Sequence, residues 1–369
     1  MLGGRVLYTP GLDVENTWPP LYSLVFVPFA LLARIDVHIA RGAWLLVSTA
    51  AAAAGVILAV RIVHADRERP VALRSLAVVV PLLLALRFYL DNLDHLQVNL
   101  VLLAMTLAGF AALSRGRELR GGAWLGAAAA LKVYPVLVLP YLVWRRRCRA
   151  LAAMLASGAL LSALPVLVRG RSRFVGDVAA WLELAGSAQP VRRNTQSLGA
   201  VLDRVLVHAD TVFSHPDAAV VASGSPVVAL ATAAALAAIL GLLVRAGRHG
   251  SRDPGAREVS IEVAAVLVLV VLFAPLAWHH YFVFVVPALL WTWRGAFDAT
   301  LRLPRRTRLG ARAALALYAL LVVASNPSFV GDAAAAAMLV RGCIALGALT
   351  LLAALLALRA AISREPATL

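Results

Sequence analysis

Charged residues are scarce in this sequence, and cysteine is almost absent. Only 15% of its 369 residues are charged, while 62% are hydrophobic. A soluble domain is about a quarter charged and about half apolar. Cysteine occurs only as Cys148 and Cys343, which offer no disulfide framework. This composition excludes an ordinary soluble domain and indicates a protein of the lipid bilayer.

The motifs of common soluble enzymes are missing as well. There is no Walker loop, no Rossmann glycine fingerprint after a strand, and no HExxH. The adjacent His279 and His280 would make a poor metal site, because neighbouring residues do not share a helix face. We therefore expect no metal and no cofactor, beyond any co-substrate that the chain uses.

Long apolar segments are plentiful. About 20 apolar residues in a helix match the hydrocarbon thickness of a membrane, and shorter spans are tolerated where neighbouring helices bury their ends. The period-two alternation of membrane strands is missing. The sequence therefore predicts an all-α, polytopic transmembrane helical bundle that forms a single domain over residues 1–369. The predicted spans are 43–62, 75–90, 98–113, 151–168, 227–244, 259–274, 281–293, 313–325 and 338–358.

Two further segments do not fit a simple span. Residues 121–144 lie between arginine clusters and contain Lys132 and Pro135. Because proline lacks an N–H donor and disfavours helix at the preceding residue, we predict a broken pair of half-helices that enters and returns. Leu21–Ala33 is too short to cross comfortably and follows Trp18, so we predict an interfacial helix there.

The net charge of +16 follows the connectors between the apolar segments. Arginines cluster in alternate connectors, whereas 91–97, 275–280 and 326–337 contain no lysine or arginine. This alternation is the positive-inside rule, so membrane topology rather than nucleic acid binding explains the charge. We therefore place residues 1–42 and the long loop 169–225 outside the cytoplasm. The abundant alanine, arginine, valine and leucine suggest a GC-rich bacterial genome, and we expect a multi-pass protein of the bacterial plasma membrane.

Polar side chains collect in three of the predicted outer stretches. Ionisable groups at membrane depth are costly, which makes them candidates for function. Each stretch could instead solvate a loop, anchor the interface or cap a helix. Lys132, flanked by apolar residues, must reach the interface or meet an anion. The stretches are Asp91, Asn92, Asp94, His95, Gln97 and Asn99; Trp278, His279, His280 and Tyr281; and Arg192, Arg193, Asn194, Gln196 and Ser197.

Five segments recur in an order and spacing typical of one enzyme family. They are WPPLYSLVFVPFALL (Trp18–Leu32), LDHLQVNLVLL (Leu93–Leu103), ALKVYPVLVLPYLVWRRRCRA (Ala130–Ala150), NTQSLGAVLDR (Asn194–Arg204) and APLAWHHYFVFVVPALL (Ala274–Leu290). Together they resemble glycosyltransferase family 87, one of the C-type membrane glycosyltransferases. The resemblance covers most of residues 4–293. The combination of these segments is more specific than any of them alone.

The resemblance implies a multispan enzyme that moves mannose from polyprenyl phosphate to a glycan or glycolipid acceptor outside the membrane. Its implied partners are membrane lipids, the lipid-linked donor and the acceptor. Inverting displacement needs a base near the acceptor hydroxyl and positive charge beside the departing phosphate. The residues implied for donor phosphate or sugar are His279, His280, Arg192, Arg193 and Lys132; those implied for sugar or acceptor hydroxyls are Asn194, Gln196, Asp94, Gln97 and Asn99.

One departure from the family concerns the base. Family members usually begin with a membrane helix and an outer loop that carries an essential aspartate. Gly3–Tyr8 resembles a later part of that loop, so we expect the chain to begin too late to contain the aspartate. Asp13 and Glu15 are weak substitutes, because their positions do not match. A chain without the base is expected to fold without catalysing.

Three other hypotheses stay open at this point. A related enzyme could use another lipid-linked sugar, such as glucose or arabinose, since donor choice rests on a few pocket contacts. A transporter or flippase would be compatible with the break at Lys132–Pro135, although no matching second break occurs. The chain could also be an inactive remnant with a structural role.

Overall fold

The computed structural model describes residues 7–8, 18–186, 190–247 and 255–363. Within these ranges the regular structure is almost wholly helical, which confirms the predicted all-α membrane bundle. Five helices in the described part are long and apolar enough to cross a membrane, so the chain is a multi-pass membrane protein. They are Val37–Val63, Leu76–Asp94, Cys148–Arg169, Pro226–Gly247 and Cys343–Ile362.

The described part of the chain consists of helices and a few strand residues. The helices are α1 (Pro20–Val25), α2 (Val27–Ile35), α3 (Val37–Val63), α4 (Leu76–Asp94), α5 (Asn99–Leu113), α6 (Glu118–Leu131), α7 (Leu139–Trp144), α8 (Cys148–Ala163), α9 (Val166–Arg169), α10 (Arg171–Gly186), α11 (Leu198–Leu206), α12 (Ala209–Ser214), α13 (Pro226–Gly247), α14 (Ala256–Leu272), α15 (Val286–Phe297), α16 (Arg305–Tyr318), α17 (Pro327–Val330), α18 (Asp332–Val340) and α19 (Cys343–Ile362). Tyr134–Val138 and His279–Val285 are 3₁₀ helices, and Ala319–Val323 is a π-helix. The two short strands are β1 (Pro190–Val191) and β2 (Val220–Val221).

The chain forms two compact units. The first unit comprises residues 1–55 and 92–190, and the second comprises 56–91 and 191–369. The single transmembrane domain expected for residues 1–369 stays a prediction.

Small residues allow the helices of the first unit to pack closely. A side chain at Gly122 would collide with the Ala150 carbonyl, and one at Gly126 with the Met154 carbonyl. Two glycines four residues apart lie on one face of a helix, which lets α6 approach the backbone of α8.

The break predicted at Lys132–Pro135 is present in the first unit. Helix α6 ends at Leu131, and Lys132 is extended, with φ −155° and ψ 124°. The 3₁₀ helix Tyr134–Val138 and α7 follow it. The fixed φ of proline and its missing N–H explain why the α-helix stops here. The re-entrant path across the membrane stays a prediction.

Buried ion pairs join the helices of the second unit. Arg359 of α19 donates to Glu262 (2.8 Å) and Glu258 (2.7 Å) of α14. Arg294 of α15 forms a bidentate pair with Asp66, at 2.6 and 2.7 Å. Burial alone would raise the pKa of Asp66, but hydrogen bonds from arginine outweigh burial and lower that pKa to about 2.

Several predicted boundaries need correction. The connector proposed at 91–97 begins later, because α4 continues to Asp94. The span proposed at 338–358 is divided at Arg341–Gly342. Gly342 adopts φ +78°, which α18 cannot continue through. The stretch expected to be a long loop, 169–225, contains α10, α11 and α12.

Two features keep 169–225 folded. In the first unit, the buried guanidinium of Arg169 donates to both carboxylate oxygens of Asp177, at 2.8 and 2.9 Å. In the second unit, a small apolar core holds α11, α12 and β2 together. Its buried members are Val191, Ala200, Val212, Val220 and Val340. The side of the membrane on which this stretch lies stays a prediction.

Candidate functional site

Two of the three polar stretches lie against each other in the second unit. The backbone N–H of Gln196 donates to the Ala277 carbonyl at 2.6 Å, and Thr195 forms an antiparallel bridge with Trp278. The Ser197 hydroxyl donates to the Pro275 carbonyl at 3.3 Å. Backbone pairing therefore brings the loop 192–197 beside the turn that carries the paired histidines.

Asp91 joins this group from the end of α4. Its Oδ2 lies 3.2 Å from Nδ1 of His280, and the His280 ring stacks with Trp278 at a centroid distance of 6.3 Å. A carboxylate at Nδ1 fixes the tautomer and orientation of an imidazole and stabilises its protonated form. The sequence placed Asp91 in a polar stretch, but we did not expect it among the site residues.

Three side-chain atoms in this group are buried without a hydrogen-bond partner in the described part of the chain. They are Nε2 of His279, Oδ1 of Asn194 and Oε1 of Gln196. The Gln196 amide nitrogen is held by the carbonyls of Arg193 (2.5 Å) and Leu339 (2.7 Å), which orients its oxygen. Since an unpaired buried polar atom is costly, these atoms suit a ligand rich in hydroxyl groups.

The two arginines of the loop have different surroundings. The side chain of Arg192 is exposed, and its carbonyl accepts a hydrogen bond from within the unit. Arg193 forms an ion pair with Asp217, whose side chain is largely exposed. Exposed ion pairs contribute little to stability, so Arg193 keeps a charge that a ligand could use.

Arg204 is a residue that the sequence did not single out for function. It is completely buried and donates to the carbonyls of Arg192 (2.8 Å), Thr195 (2.5 Å) and Val340 (3.3 Å). Burial lowers its pKa to about 10. By binding carbonyls at both ends of the loop, Arg204 holds the backbone that presents Asn194 and Gln196. The sequence feature that could have indicated Arg204 is its position in the NTQSLGAVLDR segment.

Lys132 lies in the first unit within a separate polar group. Its Nζ donates to Oδ1 of Asn99 at 3.2 Å, and Tyr134 donates to the same oxygen at 3.2 Å. Asn99 in turn donates to Asn92 at 3.1 Å. The ammonium also lies 5.3 Å from the ring centroid of Trp18, within cation–π range. Lys132 is therefore buried and does not reach the surface.

The remaining candidates are spread over the chain. Asp94 is 84% exposed, and Gln97 makes only a long contact of 3.4 Å with the His95 carbonyl among the bonds described for its side chain. Asp13 and Glu15 lie outside the described residues. In the described ranges no three histidine, cysteine, aspartate or glutamate side chains are grouped as metal ligands. The second unit thus unites His279, His280, Asn194, Gln196, Arg192 and Arg193, whereas Lys132, Asn99, Asp94 and Gln97 belong to the first.

Residues 16–275 match the sequence pattern of glycosyltransferase family 87. The chain belongs to glycosyltransferase family 87. The match includes Asp91 and the whole NTQSLGAVLDR segment, and it ends just before the paired histidines. Membership confirms the family that the ordered segments indicated.

Curated relatives of this family 87 chain are mycobacterial. A polyprenol-phosphate-mannose-dependent α-(1-2)-phosphatidylinositol mannoside mannosyltransferase of Mycobacterium tuberculosis is 28% identical over 78% of this chain and 64% of its own length. Its counterpart from Mycolicibacterium smegmatis is 27% identical over 79% and 66%. A phosphatidylinositol pentamannoside mannosyltransferase of Mycolicibacterium smegmatis is 28% identical over 79% and 64%.

The family 87 chain spans about two thirds of the length of these relatives. No solved structure matches it.

Proposed function

We propose that this chain is a membrane mannosyltransferase that transfers mannose from a polyprenyl-phosphate donor to a glycolipid or glycan acceptor on the extracytoplasmic side. The observation that carries the proposal is the packing of the 192–197 loop against the His279–His280 turn. This packing gathers three unpartnered buried polar atoms beside an aspartate–histidine pair. The names of the relatives support the donor, and their acceptors support a glycolipid.

The side chains of the site suggest a division of labour. Asn194, Gln196 and His279 bind sugar hydroxyls through the unpartnered atoms. His280, oriented by Asp91, accepts the proton of the acceptor hydroxyl as its oxygen bonds to the anomeric carbon. The bond from that carbon to the phosphate oxygen breaks, and its electron pair leaves with the phosphate. Displacement from the opposite face inverts the anomeric configuration.

A transfer assay tests the proposal. Membranes containing the full natural protein are given polyprenyl phosphomannose with a radiolabelled sugar and a phosphatidylinositol mannoside acceptor. We expect label in a larger glycolipid, and we expect His280→Ala to lower kcat roughly 10²- to 10⁴-fold. Asp332→Asn, a change at an exposed helix N-terminus, is the control. Absence of transfer to any glycolipid or glycan acceptor would reject the proposal.

The donor sugar is tested separately. Unlabelled polyprenyl phosphomannose should compete with the labelled donor, while polyprenyl phosphoglucose and polyprenyl phosphoarabinose should compete weakly. Stronger competition by either of the latter would assign the chain to another lipid-linked sugar.

A further inference from the structure

Arg87 is a cation inside an apolar membrane helix. It lies near the middle of α4, among the leucines of LLLALRFYL, and its side chain is partly buried. A charge at membrane depth is costly and calls for a partner or a function. The proposed division of labour leaves Arg87 without a role.

Neutral acceptors hold one edge of the Arg87 guanidinium. Its Nη1 donates to the Val322 carbonyl (2.6 Å) and to the Ser325 hydroxyl (2.8 Å). Those acceptors lie in and just after the π-helix Ala319–Val323. A guanidinium carries five N–H donors in a planar fork, and two acceptors on one nitrogen fix its orientation without neutralising its charge.

Three of the buried arginines are paired with carboxylates, whereas Arg204 donates to carbonyls. Arg169, Arg294 and Arg359 each donate to a carboxylate at 2.6–2.9 Å. The ion pairs described for this chain do not include Arg87. Asp91, one helical turn away, acts on the charge of Arg87 through space.

The surroundings of Arg87 point toward the candidate site. Asp91 follows it by one helical turn on the same face of α4, and Asp91 contacts His280. The charge of Arg87 also interacts with His279 and Tyr318. Both of those residues carry a buried polar atom with no partner in the described part, namely His279 Nε2 and Tyr318 Oη. An oriented cation beside unpartnered polar atoms is the environment that a phosphate group needs.

We propose that Arg87 binds the phosphate of the polyprenyl-phosphate donor; this inference rests on the proposed function. Along α4 the backbone of Arg87 lies roughly 6 Å nearer the middle of the helix than the backbone of Asp91. A lipid-linked sugar has its phosphate between the hydrocarbon chain and the sugar, so this order places the phosphate at Arg87 and the sugar beside His279 and His280. Arg87 would also stabilise the charge that develops on the phosphate as it leaves.

Lipid binding by the full purified protein in nanodiscs tests the proposal. The probes are radiolabelled decaprenyl phosphate, its neutral analogue decaprenol, and inorganic phosphate. We expect Arg87→Gln to weaken decaprenyl phosphate binding roughly tenfold or more, the loss typical of charge-assisted hydrogen bonds. Decaprenol binding should stay unchanged, and excess inorganic phosphate should compete only weakly if the lipid-borne phosphate is the ligand.

Two control variants separate binding from structure. Ser325→Ala removes one acceptor that orients the guanidinium, and it should change decaprenyl phosphate affinity by less than about threefold. Arg341→Gln removes the same charge from an exposed side chain and should change nothing. If Arg87→Gln does not insert, Arg87→Lys decides the question, because lysine keeps the charge but loses the fork and should bind several-fold more weakly.

Wild-type affinity in Arg87→Gln, or in Arg87→Lys where only that variant inserts, would overturn the proposal. So would an equal loss of decaprenol binding, which would assign Arg87 a structural role. A different result would reject the proposed function. A wild-type protein that binds decaprenyl phosphate through Arg87 and transfers no mannose would reject mannosyl transfer and leave the phosphate site standing.

Discussion

Asp91 and His280 show how much a single pairing matters at the scale of residues. Each residue alone is an ordinary polar side chain near a helix end. At 3.2 Å the carboxylate orients the imidazole and stabilises the protonated form that the reaction would generate.

Asp91→Asn should therefore lower kcat of mannose transfer by roughly 10²-fold or more, because an amide cannot stabilise the imidazolium as a carboxylate does. KM for the donor should change little. Steady-state kinetics on wild-type and Asp91→Asn membranes measure both values. A variant with unchanged kcat would remove Asp91 from the reaction.

His64 gives a pH-dependent property outside the site. Neither ring nitrogen has a hydrogen-bond partner in the described part of the chain. Burial, helped by the charges of Arg294 and Arg67 and opposed by Asp66 and Asp298, lowers the pKa of His64 to about 4. The folded protein therefore binds this proton less readily than the unfolded chain, whose histidine pKa is about 6.5.

The contribution of neutral His64 to the free energy of unfolding should be fully present above pH 6.5. It should decrease as the pH falls toward 4, because the unfolded state then binds the proton more readily. At pH 5 the loss should be about 2 kcal/mol. Thermal unfolding of detergent-solubilised protein at pH 7.5 and pH 5 measures it. His64→Leu should lose this part of the dependence, and an identical pH profile in that variant would contradict the assignment.

At the scale of elements, close helix packing depends on glycine. In α6, a Cβ at Gly126 would meet the Met154 carbonyl and the Ser157 hydroxyl of α8. Because the Met154 carbonyl belongs to the backbone of α8, it cannot rotate away from the new methyl group as a side chain could.

Gly126→Ala should destabilise the protein by about 1–3 kcal/mol, since α6 and α8 would have to separate. Gly241→Ala in α13 is the matched control, because nothing lies within 4 Å of its new methyl group. The control should be neutral or stabilising, as alanine favours helix over glycine by about 1 kcal/mol. Equal melting temperatures for Gly126→Ala and wild type would show that the two helices do not approach this closely.

At the scale of the whole molecule, the arginine-free connectors should face the outside of the cell. Asp94 is highly exposed, and the native Cys148 is an exposed thiol in an arginine-rich connector. In intact cells, a membrane-impermeant maleimide should label Asp94→Cys and leave Cys148 unlabelled until the cells are lysed.

The reverse labelling pattern would invert the predicted orientation and remove the extracytoplasmic site. Labelling of position 94 from both sides would favour a transporter over an enzyme, because alternating access exposes its site to each side in turn. Cys343, which is buried, should stay unlabelled in both arms.

The amino-acid sequence by itself determined the membrane bundle, its longest helices and the break before Pro135. These properties depend on local quantities: the apolar length needed to cross a bilayer, and the backbone N–H that proline lacks. The sequence also determined the family, because five of its segments have the residues, order and spacing of the family 87 pattern. The helix ends at Asp94 and at Arg341–Gly342 differed from expectation; at the second, Gly342 adopts φ +78° and lies against the side chain of Val201.

Only the tertiary structure decided which polar residues meet. Asp91 and His280 are 189 positions apart, and Arg204 reaches the Val340 carbonyl across 136. Arg87 is the one charge in the run LLLALRFYL, and only the fold brings Ser325 and Val322 beside it. Such pairings arise because buried charges and carbonyls must find hydrogen-bond partners wherever the folded chain brings them, and periodicity along a sequence carries no information about that choice.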